Sequence, residues 1–505
     1  MIGIASKPLK TFSIDTMSET GVVGFIIVSC VLALIPEWLN YDILSRDGAS
    51  LYIPVAKLLL EGRVHDALFG VYKPGIIPLY EMSIALISFV TPFDLETSGR
   101  LVSVFFFIVG AVGIYKATRI ICSDRLAALL SFLFYLSSRD SLEYSTDCLK
   151  ETLLVAIVVW GNYFLLQAMY AHKQVSYLLG AGLLAVGGLV RSTALIFLLG
   201  WVILWVVHDR QRLVVRLTLF LALIGAVIIA VVANEHYGLK LPVLRRSLSL
   251  YNLLNFYHAG FSGALEIICV LVSQFMARSY YFILLLALIG MHLLRKNYYT
   301  AFYAIVFMIL ATVAVKIGWH QTARGTDRYI VVFIISLHPM AAYTLSRLLR
   351  AGKPRYRYFA ILCIFSCIVI GASKVFTPPE RDKLDIKEAG RWIASRTGTD
   401  FPLVTTDIRV GFYAETFPYL LMKFDKLSIR EKIAVRKAPI KRYVRFNGFV
   451  KENALVMAVA VDQTELEGRL VKERLESLGI TRDNVIGNIV IFIPKKRLQV
   501  DVRPG

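Results

Sequence analysis

For three quarters of its length the chain alternates between long apolar runs and short polar breaks. A helix needs about 20 apolar residues to cross the hydrocarbon of a bilayer. Runs near that length fall at 21–38, 99–118, 125–138, 151–171, 177–190, 192–207, 215–234, 279–294, 299–317, 329–346 and 358–375. The runs at 125–138 and 177–190 are short and would have to be tilted or buried. Two further apolar stretches, 75–92 and 262–278, suit either spanning helices or helices lying along the membrane surface, which gives an expectation of 11 to 13 spanning helices. The pattern changes after residue 375. Asp382 to Arg396 reads as a helix, Pro402 to Thr406 as a strand, Ala454 to Val461 as a half-buried strand, Gln463 to Leu478 as a helix and Asn488 to Pro494 as a closing strand. The expected fold class is an all-α polytopic membrane domain over residues 1–375, with surface helices in its first outer loop. A small C-terminal α/β soluble domain over residues 376–505 would follow it.

Composition agrees. Hydrophobic residues make up 57% of the 505, charged residues only 18%, and the mean hydropathy is +0.62; a soluble enzyme would be nearer half apolar and a quarter charged. The net charge of +20 would suit a nucleic-acid binder, but its distribution points elsewhere. Residues 376–505 hold 24 Lys and Arg against 17 Asp and Glu, and much of the remaining excess lies in basic clusters that orient membrane helices. The first run follows Lys7 and Lys10 and ends in Pro36-Glu37-Trp38 rather than at a small-residue cleavage site, so it reads as an uncleaved helix with a cytoplasmic N-terminus.

If both ambiguous stretches lie flat, three basic clusters fall on the cytoplasmic side: Arg210, Arg212 and Arg216; Arg295 and Lys296; and the run from Arg347 to Arg357. The outer face then receives 39–98, 139–150, 235–278, 318–328 and the tail. Five of the six cysteines lie in or near membrane segments and none in the tail, and no Asn-x-Ser/Thr acceptor occurs. The expected location is a bacterial inner membrane with a periplasmic tail. Membrane lipids are partners and nucleic acid is not.

The outer segments hold the candidate chemistry. Asp47 precedes a short amphipathic helix with Leu51, Tyr52, Val55, Leu58 and Leu59 on one face, ended by Gly62. A carboxylate there, within reach of an aqueous acceptor and a lipid-borne donor, suits a general base; the plainer reading is a helix N-cap. Lys73 opens the second surface helix at headgroup level, where an ammonium binds either a substrate phosphate or anionic lipid. In the second outer loop Asp147 and Glu151 are four apart and could share one face at a helix start, positioning an acceptor or binding a cation; a cap and a dipole partner explain them equally well. Arg191, Arg245, Arg246, Arg324 and Arg328, with His258 and His320, also fall on the outer side. Arginines bind phosphate oxygens in a bidentate manner, although each alone is more often a snorkelling interface residue. No Gly-rich phosphate loop precedes a helix, and no metal site or cofactor is implied, with a divalent cation left open.

These motifs carry a family resemblance. Asp47-Gly48-x-x-x-Tyr52-x-x-x-Ala56-x-x-x-Leu60-x-Gly62, followed by Lys73-Pro74 and Pro78-Leu79-Tyr80, resembles the first outer loop of the GT-C superfamily of membrane glycosyltransferases, in its protein O-mannosyltransferase and lipid A aminoarabinose transferase branches (glycosyltransferase family 39 type). Tyr144-Ser145 with Glu151 resembles the second acidic motif, Gly182 to Thr193 the Gly-Leu…Arg segment, and Arg328-Tyr329 the start of a late helix. The chain differs in having Gly48 after Asp47, where the family usually has Glu, and Gly75 after Pro74, where it has a second proline. The resemblance implies an inverting transfer of sugar from a polyprenyl-phosphate donor, taken from the outer leaflet, to a hydroxyl of a lipid, glycan or protein acceptor. Asp47 would be the base, Glu151 would assist with Asp147 beside it, and Lys73 and a later arginine would hold the leaving phosphate. Tyr52, His258 and His320 would contact substrate. The rival reading is a transporter or flippase of a lipid-linked or anionic substrate. Such proteins place substrate residues midway along broken helices in repeated halves, whereas these acidic residues lie in loops.

Overall fold

The computed structural model describes residues 17–40, 43–45, 47–69, 78–171, 173–191, 193–208, 221, 225, 282–318, 327–376, 384–397, 403–405, 408–414, 458–462, 484–486 and 489–492. The expected span at 215–234 (apart from Leu221 and Gly225), the stretch 262–278 and the tail helix at 463–478 lie outside these residues. The chain divides into two compact units. The first comprises Met1–Leu39, Ser103–Thr146 and Lys150–Thr377, and the second Asn40–Val102, Asp147–Leu149 and Pro378–Gly505.

The first unit is helical among its described residues. Its elements are α1 (Glu19–Asn40), most of α5 (Leu95–Cys122), α6 (Arg125–Ser137), α7 (Arg139–Thr146), α8 (Glu151–Ala171), α9 (Gln174–Val190), α10 (Thr193–His208), α11 (Phe282–Leu293), α12 (Tyr298–Gly318), α13 (Asp327–Ile335), α14 (His338–Leu349) and α15 (Pro354–Phe376). Five stretches among the described residues are long and apolar enough to cross a membrane: Glu19–Pro36, Leu95–Cys122, Glu151–Ala171, Val331–Leu349 and Pro354–Ser373. On α1 and α15 one apolar face is buried and another points outward; Leu32, Leu362 and Phe365 are each 61% exposed. Apolar stripes of that extent on outer helices need lipid to cover them, and the chain is a multi-pass membrane protein.

Inside the bundle small residues let backbones touch. A Cβ on Gly180 of α9 would stand 2.8 Å from the Gly161 carbonyl of α8, the close approach that membrane helices use in place of a hydrophobic drive. A polar pair crosses from α10 to α8: the Trp201 indole donates to Asn162 Oδ1 at 2.7 Å and stacks on Phe302 at 4.3 Å. The run expected as one helix over 329–346 is two, α13 and α14, broken at Ser336 and Leu337. Pro339 supplies no N–H for a continuing ladder, and the Ser336 hydroxyl donates back to the Val332 carbonyl at 2.9 Å. At the other end of α14, Arg350 and Ser346 bond to Asp124. That residue caps α6 by accepting from the Leu126 and Ala127 N–H groups at 2.9 and 3.3 Å.

The second unit joins the first loop to the tail. A π-helical turn (Gly48–Tyr52) runs into α2 (Ile53–Leu60), followed by α3 (Val64–Phe69) and α4 (Leu79–Val90). Of the stretch 75–92, the described part is α4, whose 12 residues at 1.5 Å per residue reach about 18 Å, less than the roughly 30 Å of hydrocarbon. The tail contributes α16 (Leu384–Thr397), β1 (Leu403–Thr405), α17 (Ile408–Tyr413), β2 (Ala458–Asp462), β3 (Asn484–Ile486) and β4 (Ile489–Phe492). Its four strands among the described residues form one sheet in the order β1-β2-β4-β3. β1 is parallel to β2, β4 is antiparallel to both neighbours, and Val459 faces Phe492. Strand β3 was not expected from the sequence. The core of this unit is shared between distant parts of the chain: Ile43 packs with Ile386, Ala389, Ile393, Val410, Tyr413 and Ala414.

Candidate functional site

Asp47 stands immediately before the π-helical turn, with φ −71° and ψ −38°. An N-cap was the plainer expectation for it, yet its side chain makes no capping hydrogen bond to that turn. Ser45 does the capping: its hydroxyl accepts the Gly48 N–H at 3.1 Å and its carbonyl accepts the Ala49 N–H at 3.0 Å. The turn closes from the Ile53 N–H to the Gly48 carbonyl, one residue wider than an α-turn, a local geometry often found at functional sites. The amphipathic face expected on α2 is the buried one, with Tyr52, Val55 and Leu58 inside, and Gly62 ends the segment at φ +71°. Tyr52, expected to contact substrate, meets the Tyr80 ring edge-on at 5.4 Å, and the Tyr80 hydroxyl donates to the Gly99 carbonyl at 3.1 Å.

Position 48 is crowded. A Cβ there would lie 3.1 Å from Cys148 Cβ, 3.2 Å from the Cys148 carbonyl and 3.2 Å from Ser45 Oγ. A side chain there would require these neighbours to give by a few tenths of an ångström.

Asp147 is not on a shared helical face with Glu151, because α8 starts only at Glu151 and residues 147–149 form a turn, closed by the Leu149 N–H on the Asp147 carbonyl at 2.9 Å. Its buried carboxylate organises the loops instead. Oδ1 accepts the Ser45 N–H at 3.1 Å and the Cys148 N–H at 2.7 Å, so it ties the second outer loop to the segment leading into Asp47. Burial pushes the neighbouring Cys148 thiol well above the usual thiol range.

The same segment is held from the tail. The Leu44 N–H donates to the Tyr413 hydroxyl at 3.0 Å. Burial first, then the negative charge of Glu96, raises the Tyr413 phenol, which therefore stays neutral. Lys387 sits 5.2 Å from the Tyr413 ring centre and 3.7 Å from Glu96. Neither Ser45 nor Tyr413 was singled out from the sequence. A serine three residues before a helical glycine is a legible capping signal; nothing local marks Tyr413.

Within the first unit, Glu151 and Arg191 come together. Glu151 is 1% exposed and its Oε1 accepts a hydrogen bond from the Arg191 guanidinium. Arg191 ends α9 in extended conformation, its N–H on the Gly187 carbonyl at 2.8 Å. Lys150 Nζ reaches the Val190 carbonyl at 3.4 Å. An arginine expected to hold phosphate and a carboxylate expected to assist are thus partners in one buried ion pair. Lys73, Arg245, Arg246, Arg324, His258 and His320 lie outside the described residues. Arg328 lies on α13, its side chain outside the description.

Comparisons with known proteins agree on the architecture. The family model for dolichyl-phosphate-mannose-protein mannosyltransferase matches residues 73–234. The fold is similar to the crystal structure of ArnT from Cupriavidus metallidurans bound to undecaprenyl phosphate, with a TM-score of 0.57 and 12% identity, covering 94% of this chain and 98% of that one. The apo crystal structure of the same ArnT gives 0.55 at 12% identity, over 93% and 98% of the two chains. The Archaeoglobus fulgidus oligosaccharyltransferase in its apo form gives 0.51 at 12% identity, covering 79% of this chain and 64% of that one. No curated protein sequence matches the chain.

Proposed function

From the GT-C fold that this chain shares with the polytopic membrane glycosyltransferases, we propose that it is an inverting glycosyltransferase. It moves a sugar from a polyprenyl-phosphate donor to a hydroxyl of a lipid, glycan or protein acceptor at the outer face of the membrane. The observation that carries this reading is the likeness of fold, across 94% of the chain, to a protein crystallised with undecaprenyl phosphate. The family model supports it over residues 73–234, which begin at Lys73.

The proposed chemistry is a single displacement. The acceptor oxygen attacks the anomeric carbon from the face opposite the phosphate and gives its proton to Asp47. The bond from the anomeric carbon to the phosphate oxygen breaks, the phosphate keeps the electron pair, and the configuration inverts. Asp47 is given this role from its place in the first outer loop, at the start of the π-helical turn. The departing lipid phosphate gains charge that cations must meet, a task we assign to Lys73, Arg245, Arg246, Arg324 and Arg328. Arg191 is paired with Glu151, the carboxylate to which we give an assisting role. The chemistry lies with residues 1–375, and residues 376–505 face the periplasm of a bacterial inner membrane.

Asp47→Asn tests the assignment. Mass spectrometry of lipids and glycans from cells with and without the protein identifies the sugar that it adds. Asp47→Asn is expected to abolish that addition while the protein accumulates and binds undecaprenyl phosphate normally. Full turnover in this variant removes Asp47 as the base.

A further inference from the structure

The three described residues before Asp47 make no regular structure of their own, yet two adjacent backbone donors among them are spoken for by parts of the chain far away in sequence. The Leu44 N–H goes to Tyr413 Oη at 3.0 Å, from the last helix before the central part of the tail, and the Ser45 N–H goes to Asp147 Oδ1 at 3.1 Å, from the second outer loop. Ser45 then passes the restraint forward to Gly48 and Ala49, on the far side of Asp47. Leu44 is fully buried, so its N–H has no water to fall back on, and a buried donor without a partner is costly. Tyr413 is itself fixed. It is 8% exposed, a Cβ on Gly390 would come within 2.6 Å of its Cβ, and Phe412 and Lys387 flank its ring.

We propose that Tyr413 is a positioning residue for Asp47: through the Leu44 N–H the tail sets where the carboxylate stands relative to the acceptor hydroxyl. This rests on the base role given to Asp47 above. Tyr413 touches no substrate in this scheme. It acts through one hydrogen bond, and an error of about 1 Å at a reacting group can cost on the order of a hundredfold in rate. The tail then completes the catalytic loop in addition to any acceptor that it recognises.

Tyr413→Phe removes the acceptor oxygen and keeps the ring. Three measurements on the full chain in lipid nanodiscs decide the matter. Hydrogen exchange of the peptide spanning 43–49 is expected to speed up by about tenfold or more, while α8 and α9 exchange as in the wild type and so report an intact fold. Affinity for undecaprenyl phosphate, the probe for the donor site, is expected to change less than about twofold. Turnover of the sugar product identified by mass spectrometry is expected to fall about ten- to a hundredfold, in kcat rather than in KM. Unchanged exchange at 43–49, or unchanged turnover, overturns the proposal. The two readings fail separately. If Asp47→Asn retains full turnover, the base assignment is lost whatever Tyr413 does. If Asp47→Asn is inactive and Tyr413→Phe is fully active, only the positioning role is lost.

Discussion

Replacing Arg191 by Ala tests whether the Glu151–Arg191 pair is a structural necessity of the bundle. The guanidinium bonds to a carboxylate whose residue is 1% exposed, and the arginine side chain itself is 13% exposed. Losing a hydrogen bond to a charged group costs roughly 1.5–3 kcal/mol, and breaking a buried ion pair by removing one partner costs roughly 3–5 kcal/mol in total, because the remaining charge is left in low dielectric. Arg191→Ala is therefore expected to lower unfolding free energy by about 4 kcal/mol. Glu151→Gln/Arg191→Gln removes both charges and keeps similar volumes; it should lose less than Arg191→Ala alone, with a coupling of at least about 2 kcal/mol between the positions. Denaturant titration of the detergent-solubilised protein, followed by circular dichroism, measures these variants together with single Glu151→Gln and Arg191→Gln, which close the cycle. A loss below about 1 kcal/mol in Arg191→Ala, or strictly additive losses, refutes the buried-pair argument. Turnover in the double variant separates the roles: restored stability with absent activity leaves the pair necessary to the chemistry, and restored activity leaves it structural.

Two further perturbations follow. At Asp124, burial raises the carboxyl, but the Ser346 hydroxyl, the Ala127 N–H and the Arg350 guanidinium outweigh it and hold the group below its ordinary value. The stability it contributes is complete above the unfolded carboxyl value of about 3.9 and lost as pH falls through the lower folded value. Asp124→Ala should thus cost about 2–3 kcal/mol at pH 7 from the lost cap and the stranded buried Ser346, a gap that closes in acid; a gap that widens below pH 4 contradicts this. Gly48→Ala places a methyl at 3.1–3.2 Å from three atoms and should cost about 1–3 kcal/mol of local strain, read as faster hydrogen exchange at 43–53; wild-type exchange there means the loops yield freely.

The helices of the membrane part were legible because hydrophobic length is a strong signal. Glu151–Ala171 begins and ends where the apolar run does. Breaks inside a run were harder: Pro339 was visible, but the interruption at Ser336 and Leu337 depends on how α13 and α14 pack. The candidate site was legible as far as Asp47, Asp147, Glu151 and Arg191 went, since charges in apolar surroundings stand out. Their grouping was not. The four-residue spacing of Asp147 and Glu151 suggested one helical face, but an unseen turn at 147–149 gives Asp147 to the Asp47 loop and leaves Glu151 to Arg191. Ser45 carried a local signal and Tyr413 none, because a partner 369 residues away leaves no trace in a local window.

The core that joins Ile43 to Ile386, Ala389, Ile393, Val410, Tyr413 and Ala414 also sets a timetable for biosynthesis. With 369 residues between Leu44 and Tyr413, a ribosome adding roughly 5–20 residues per second needs roughly 20–70 s between the two. Throughout that interval the segment before Asp47 lacks the groups that bury Ile43 and satisfy the Leu44 amide. The nascent protein must shield these residues or lend them a helper, and the segment before Asp47 gains its hydrogen-bond partner only once Tyr413 has been made.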